Sequence, residues 1–197
     1  LFGIKNFGYV FFEFDKINDE LLINIKKYYD TIITGSSWCE NVLRSYGIDN
    51  VATVIQGVDT QIFNSANNDK AFLQDKFVIF SGGKFELRKG QDIVIKAFEI
   101  LSEKYEDVFL VASWFNCWPQ LIPTIKYSNN VKYPFTEGQI PKFKEMQLEI
   151  LNFIMEYNGI DPKKFLILPL LKNAEMSLIY KNTDVGLFPN RCEGGTN

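Results

Sequence analysis

Histidine is absent from all 197 residues. That absence removes Ser-His-Asp and Cys-His catalysis from this stretch of chain, and with it nearly all zinc chemistry. Any imidazole the protein uses must come from outside the sequence. Cysteine is scarce: Cys39, Cys117 and Cys192 are odd in number, far apart, and form no CxxC. A reduced intracellular compartment is the simple reading. No DxD triplet offers a divalent metal a nucleotide site, so no metal ligand is assigned. No apolar run is long enough to cross a bilayer, and no signal peptide is visible. Cationic excess is missing too, with 21 Lys and Arg against 24 Asp and Glu and a net charge of −3. Nucleic acid and anionic membrane surfaces are therefore not expected partners. Internal repeats and low-complexity tracts are also lacking.

What is present is the composition of a packed protein: 46% hydrophobic residues, and 15% aromatic with 18 Phe against 3 Trp. The length suits one large domain or parts of two. Short apolar runs alternate with amphipathic helical stretches, the pattern of parallel α/β architecture. A helix over 17–29 turns Ile17, Leu21, Ile25 and Tyr28 to one face, and Thr31–Thr34 reads as a strand. Ser36 or Ser37 suits the N-cap of a helix from Trp38 to Tyr46, and Gly47 suits its C′ position. A strand over Val51–Ile55 ends in Gln56-Gly57-Val58-Asp59.

The polar stretch Asn64–Lys70 is the best candidate for an inter-domain linker. A second α/β series follows. Strands are predicted at Phe77–Phe80, Val108–Ala112, Phe165–Leu170 and Asp184–Phe188. Helices are predicted at 91–105, 142–157 and 174–181. The first turns Ile93, Val94, Ala97, Phe98 and Leu101 inward; the second does so with Phe143, Met146, Ile150 and Ile154. Residues 115–141 read as irregular, and Asp161-Pro162 starts a short turn with Pro at N1.

Two loops stand out. Ser81-Gly82-Gly83-Lys84 through Arg88-Lys89-Gly90 joins a buried-type strand to a helix. In open α/β sheets, ligands bind outside the carboxyl ends of strands. Glycines there let backbone amides approach an anion, and a helix N-terminus adds partial positive charge. Lys84, Arg88 and Lys89 crowd positive charge where the helix dipole disfavours it, at a cost of about 0.3–1 kcal/mol per charge. A bound anion would explain that; a solvated basic loop is the plainer alternative. The second loop is Asn190-Arg191-Cys192-Glu193-Gly194-Gly195-Thr196-Asn197. Glu193 could accept from sugar hydroxyls, and the amides of Gly194, Gly195 and Thr196 could hold a phosphate or hydroxyl oxygen. A glycine-rich turn with an exposed Glu is the alternative. In a parallel sheet both loops lie on the same edge. Trp114, Asn116 and Trp118 follow another strand end, where packing under a loop is the simpler role. Glu13 and Asp15 alternate on a possible strand, which a solvated face explains.

With these segments in place, the sequence resembles the large family of retaining nucleotide-sugar glycosyltransferases with the GT-B fold (glycosyltransferase family 4). Gln56-Gly57-Val58-Asp59 with Phe63 is similar to the family's NGVD…F crossover motif. Gly83-Lys84 through Lys89-Gly90 is similar to its GR…KG loop, with Lys84 in the place of the usual arginine. Asp184–Pro189 through Glu193-Gly194 resembles the opening of its E-x7-E motif. The resemblance implies that Lys84 and Lys89 bind the donor diphosphate and stabilise charge on the leaving nucleotide. It implies that Glu193 contacts the donor sugar, with Gly194, Gly195, Thr196 and Asn197 helping to hold sugar and phosphate. Gly82, Gly83 and Arg88 belong to the same binding loop. Arg88 stands where many members carry another residue.

The expectation is thus an α/β, GT-B type chain with a Rossmann-like parallel-sheet donor domain and a partial N-terminal acceptor domain. Residues 1–60 would end the acceptor domain, 61–75 link, and 76–197 form a donor domain incomplete at its C-terminus. The family's second glutamate would fall four positions past Asn197, and its acceptor-side residues before Leu1. The piece as it stands is therefore expected to be inactive. The whole enzyme would be a retaining, metal-independent hexosyltransferase, with a nucleoside diphosphate-sugar as donor and no cofactor. The acceptor, within polysaccharide biosynthesis, is left as carbohydrate, lipid-linked sugar or protein. A cytoplasmic location, with peripheral membrane association open, fits that chemistry. Three alternatives stay open: a non-catalytic nucleotide-sugar-binding domain, a GT-B epimerase or phosphorylase, and an unrelated Rossmann-like domain with a merely superficial lysine cluster.

Overall fold

The computed structural model describes residues 3–66, 70–136 and 146–193. The chain forms two compact units, one of residues 1–59 with 192–197 and one of residues 60–191.

In the first unit, β1 (Phe7–Val10), β2 (Thr31–Thr34) and β3 (Val51–Thr53) form a parallel sheet in that order. Crossover helices α1 (Asp19–Tyr28) and α2 (Ser37–Ser45) connect them. Local chemistry sets their ends. Asn18 caps α1, its side chain accepting from the Leu21 N–H at 2.8 Å. Ser36, rather than Ser37, caps α2 through the Cys39 N–H at 3.2 Å. Gly47 adopts φ 72° after α2 and donates to the Arg44 carbonyl, the left-handed stop expected of C′. Ile25, Ile32, Cys39, Leu43, Ile48 and Val51 make the core. β1 had no counterpart in the sequence reading. Glu13 and Asp15, read there as alternating on a strand, instead follow its end at Val10.

In the second unit, β4 (Phe77–Gly82), β5 (Val108–Ser113), β6 (Phe165–Ile167) and β7 (Val185–Gly186) form a parallel sheet ordered β6-β5-β4-β7. Helices α3 (Gln91–Lys104), α4 (Gln147–Tyr157) and α5 (Asn173–Lys181) lie between successive strands in the chain. Alternating strand residues face opposite sides. Ile79, Leu110, Ala112, Phe165 and Ile167 pack with Val94, Phe98, Leu151 and Ile154 of α3 and α4. Val78, Phe80 and Val111 pack with Met176 and Ile179 of α5. Both faces are covered, as a parallel sheet requires. The fold is therefore α/β with parallel sheets and a partial Rossmann-like unit.

Several expectations are corrected. Ile93 is on the solvent side of α3, because Val94, Ile95 and Phe98 define the buried face. Met146 precedes α4 instead of lining its inner face and is exposed. The predicted start of that helix, with Phe143, lies outside the described residues. Within the stretch expected to be irregular, Pro119–Tyr127 winds as 3₁₀ helix and buries Ile122 and Ile125. Predicted strands 51–55, 165–170 and 184–188 are shorter as ladders, although single bonds extend them, such as Leu187 N–H to the Phe80 carbonyl. Residues 70–72 are fastened to the second unit. The Lys70 ammonium pairs with Asp184, and the Asn182 side-chain oxygen accepts from the Ala71 and Phe72 amides at 2.7 and 3.0 Å.

Candidate functional site

Strand order places the site. The chain runs from β4 outward through β5 to β6, and then returns to lay β7 on the other edge of β4. The loops leaving β4 and β7 therefore flank the point where the winding reverses. Ligands of open parallel sheets bind in that crevice, outside the carboxyl ends.

The loop after β4 is held from beneath by buried amides. Gln91, with no exposed surface, donates to the carbonyls of Gly83 and Lys84 at 3.2 and 2.9 Å and accepts from the Glu86 N–H. Asn116, equally buried, donates to the Phe85 carbonyl and exchanges two bonds with Gln147. The Trp114 indole donates to Ser81, and its ring lies 5.5 Å from that of Phe85. Packing under the loop is thus what Trp114 and Asn116 do. Trp118 differs: it is half exposed, and the Lys84 ammonium sits 4.2 Å from its ring centroid.

The three cations of this loop are not equivalent. Arg88 pairs at 2.8 Å with the carboxylate of Glu86, which is only 4% exposed. Part of the positive charge that the sequence left unexplained is compensated there. Lys84 is half-buried against Trp118, and the Lys89 stem passes within 4 Å of where a Gly83 Cβ would stand. Gly83 is exposed at φ 104°. By contrast, Gly90, Gln91 and Asp92 at the start of α3 are buried. The open part of the loop is the Gly83 bend, and not the helix start as the sequence suggested.

The loop after β7 covers that helix start. Gly90 adopts φ 76°, and a Cβ on it would stand 2.1 Å from the Pro189 carbonyl oxygen. The Arg191 N–H donates to the Arg88 carbonyl at 2.9 Å. The Arg191 guanidinium reaches the Leu87 carbonyl and both oxygens of Asp92, at 2.6–2.7 Å. Asp92 also accepts from Ser128 and Asn130 at 2.6 and 2.9 Å. Burial would push the Asp92 carboxyl up, but these charge-assisted bonds more than offset it and hold it at about 2.

The structure thus brings Gly82, Gly83, Lys84, Arg88 and Lys89 together in the second unit, against Pro189 and Arg191. Glu193 is half-buried and belongs to the first unit with Cys192, whose thiol donates to the Glu13 carbonyl. Gly194, Gly195, Thr196 and Asn197 lie outside the described residues. Sequence reasoning missed Gln91, and Asp92 as the partner of Arg191. An acidic residue in the first turn of a helix behind a cationic loop was the available signal for Asp92.

Comparison with solved structures matches the fold. TarM from S. aureus, in complex with fondaparinux, alpha-GlcNAc-glycerol and UDP, aligns with a TM-score of 0.59 at 12% identity, covering 98% of this chain and 33% of that one. HepE from Anabaena, in complex with UDP and glucose, aligns at 0.58 and 14%, covering 94% and 46%. Sucrose-phosphate synthase from Thermosynechococcus elongatus aligns at 0.58 and 15%, covering 91% and 40%. The fold is that of GT-B glycosyltransferases. At these identities the likeness is one of GT-B shape, and the chain spans less than half the length of each neighbour. No protein-family model matches the sequence. No curated protein matches it either. Among the described residues no helix is long and apolar enough to cross a membrane.

Proposed function

We propose that the second unit is the donor half of a glycosyltransferase and binds a nucleoside diphosphate-sugar in the crevice outside β4 and β7. The observation that carries this reading is the meeting of the two loops at the reversal of strand order, one bringing the Gly83 bend with Lys84 and Lys89 beside it. Lys84 and Lys89 hold the diphosphate and stabilise the charge that grows on it as its bond to the sugar C1 breaks. Lys84 exchanges its contact with the Trp118 ring for phosphate as the donor enters. A role of Glu193, Gly194, Gly195, Thr196 and Asn197 toward the donor sugar and phosphate rests on the family resemblance alone. The acceptor hydroxyl oxygen bonds to C1 as the bond from C1 to the phosphate oxygen breaks, and its proton passes to the departing nucleoside diphosphate. Retention of configuration, independence of metal and the hexose class rest on the family resemblance. The UDP present in the HepE and TarM structures supports the donor class.

The test is calorimetric titration of the chain with UDP, GDP and ADP, and with their sugars. One of them should bind with affinity that falls as salt rises, because the contact is between lysine and phosphate. Lys89→Ala should weaken it about ten-fold or more, the cost of losing a charge-assisted bond. Unchanged affinity in that variant would remove the phosphate assignment.

A further inference from the structure

We propose that Asp92 and Arg191 form a positioning clamp that sets the spacing of the loops after β4 and β7 before any ligand arrives. The inference rests on the donor reading above for its functional meaning, and on geometry alone for its mechanical one. Asp92 has no exposed surface, and a buried carboxylate persists only if its oxygens are satisfied. Four bonds satisfy them, from both terminal nitrogens of Arg191, from Ser128 and from Asn130. One carboxylate therefore gathers three segments: the α3 start that continues the loop after β4, the loop after β7, and the stretch that follows the Pro119–Tyr127 turn.

Arg191 completes the hold. Its amide and guanidinium bond the carbonyls of Arg88 and Leu87, so both its backbone and its side chain grip the turn that carries Lys89. The fork of a guanidinium on a carboxylate fixes an angle as well as a distance, which an ammonium cannot do. The bonds of the pair run between loop segments and the first turn of α3, so loosening the pair should loosen the loops before it loosens the unit. The low-lying Asp92 carboxyl keeps the clamp charged throughout the neutral range.

Hydrogen exchange of the ligand-free chain and UDP calorimetry test this together, using Arg191→Lys, Asp92→Asn and the double variant. Arg191→Lys keeps the charge and loses the fork. It should speed exchange in both segments 83–90 and 187–191 about ten-fold, with β5 and α4 unchanged. UDP affinity should fall about five-fold or more, and the double variant should be no worse than the more damaging single one, as for neighbours acting as a unit. Faster exchange in only one segment, or in neither, overturns the clamp. So does an additive double variant, or uniform loosening of the whole unit. If the unsubstituted chain binds none of UDP, GDP and ADP, the donor reading fails, and the exchange result alone decides for or against the clamp.

Discussion

Replacing Gly90 with alanine puts a single methyl group between the two loops, and its cost can be worked from the geometry. Gly90 stands at φ 76°, where an L-residue loses about 1–2 kcal/mol. The new Cβ would lie 2.1 Å from the Pro189 carbonyl oxygen and 2.8 Å from its carbon. Those are backbone atoms, so the loop after β7 must move outward by more than an ångström. That movement breaks the Arg191 N–H bond to the Arg88 carbonyl, worth about 1 kcal/mol net. The total is about 2–3 kcal/mol, equivalent to about 4–12 °C in Tm for a unit of this size. Gly159 is an internal control: it stands at φ 84° with nothing within 4 Å of an added Cβ. Gly159→Ala should therefore cost the backbone term alone. Denaturant unfolding of both variants isolates the contact as their difference, and nucleotide titration reports whether the site moved. If Gly90→Ala is no more destabilising than Gly159→Ala, the packing of Pro189 on the α3 start is refuted.

Two further outcomes follow from buried polar groups. Asp92 titrates at about 2 in the folded protein against an ordinary 3.8, so it binds its proton more readily when unfolded. Its contribution is present above about pH 4 and disappears as pH falls toward 2; it is worth about 2 kcal/mol, or nearer 1 because Arg191 is partly exposed to screening. Asp92→Asn should flatten the stability profile between pH 5 and 2, and parallel profiles for the two proteins would contradict the assignment. Asn182→Ala removes the acceptor for two backbone amides at a position 4% exposed, and should cost about 2–4 kcal/mol with lost exchange protection at Ala71 and Phe72. Asn182→Asp keeps the acceptor oxygen and should restore that protection in part.

Much of the fold was readable because its signals are local. Ser36, Gly47 and Pro162 act within one turn of their own positions, as cap, stop and first helical residue. The parallel α/β class followed from apolar runs alternating with amphipathic stretches. What escaped depended on partners far away. β1 is a strand because Phe7–Val10 pairs with Thr31–Thr34, and its own residues, including Gly8, carry no clear alternation. The turn at Pro119–Tyr127 accommodates Pro123 because a 3₁₀ winding makes fewer demands than an α-helix, and its apolar residues pack into the core. Both loops of the candidate site were legible as loops after strands. Their join was not, since Asp92 and Arg191 are 99 residues apart and neither announces the other. The cation cluster also looked less balanced in sequence than in space, where Glu86 turns inward to meet Arg88.

The fastening of residues 70–72 has a consequence for how the protein is made. Ala71 and Phe72 wait for Asn182, and the Val78 amide waits for Asp184. At about 5–20 residues per second, a ribosome needs several seconds to tens of seconds to supply that closing segment. Until then β4 has an open edge, with Val78 and Phe80 lacking α5 above them. An emerging chain therefore carries that edge and that apolar face uncovered from the synthesis of residue 82 until residue 184 follows.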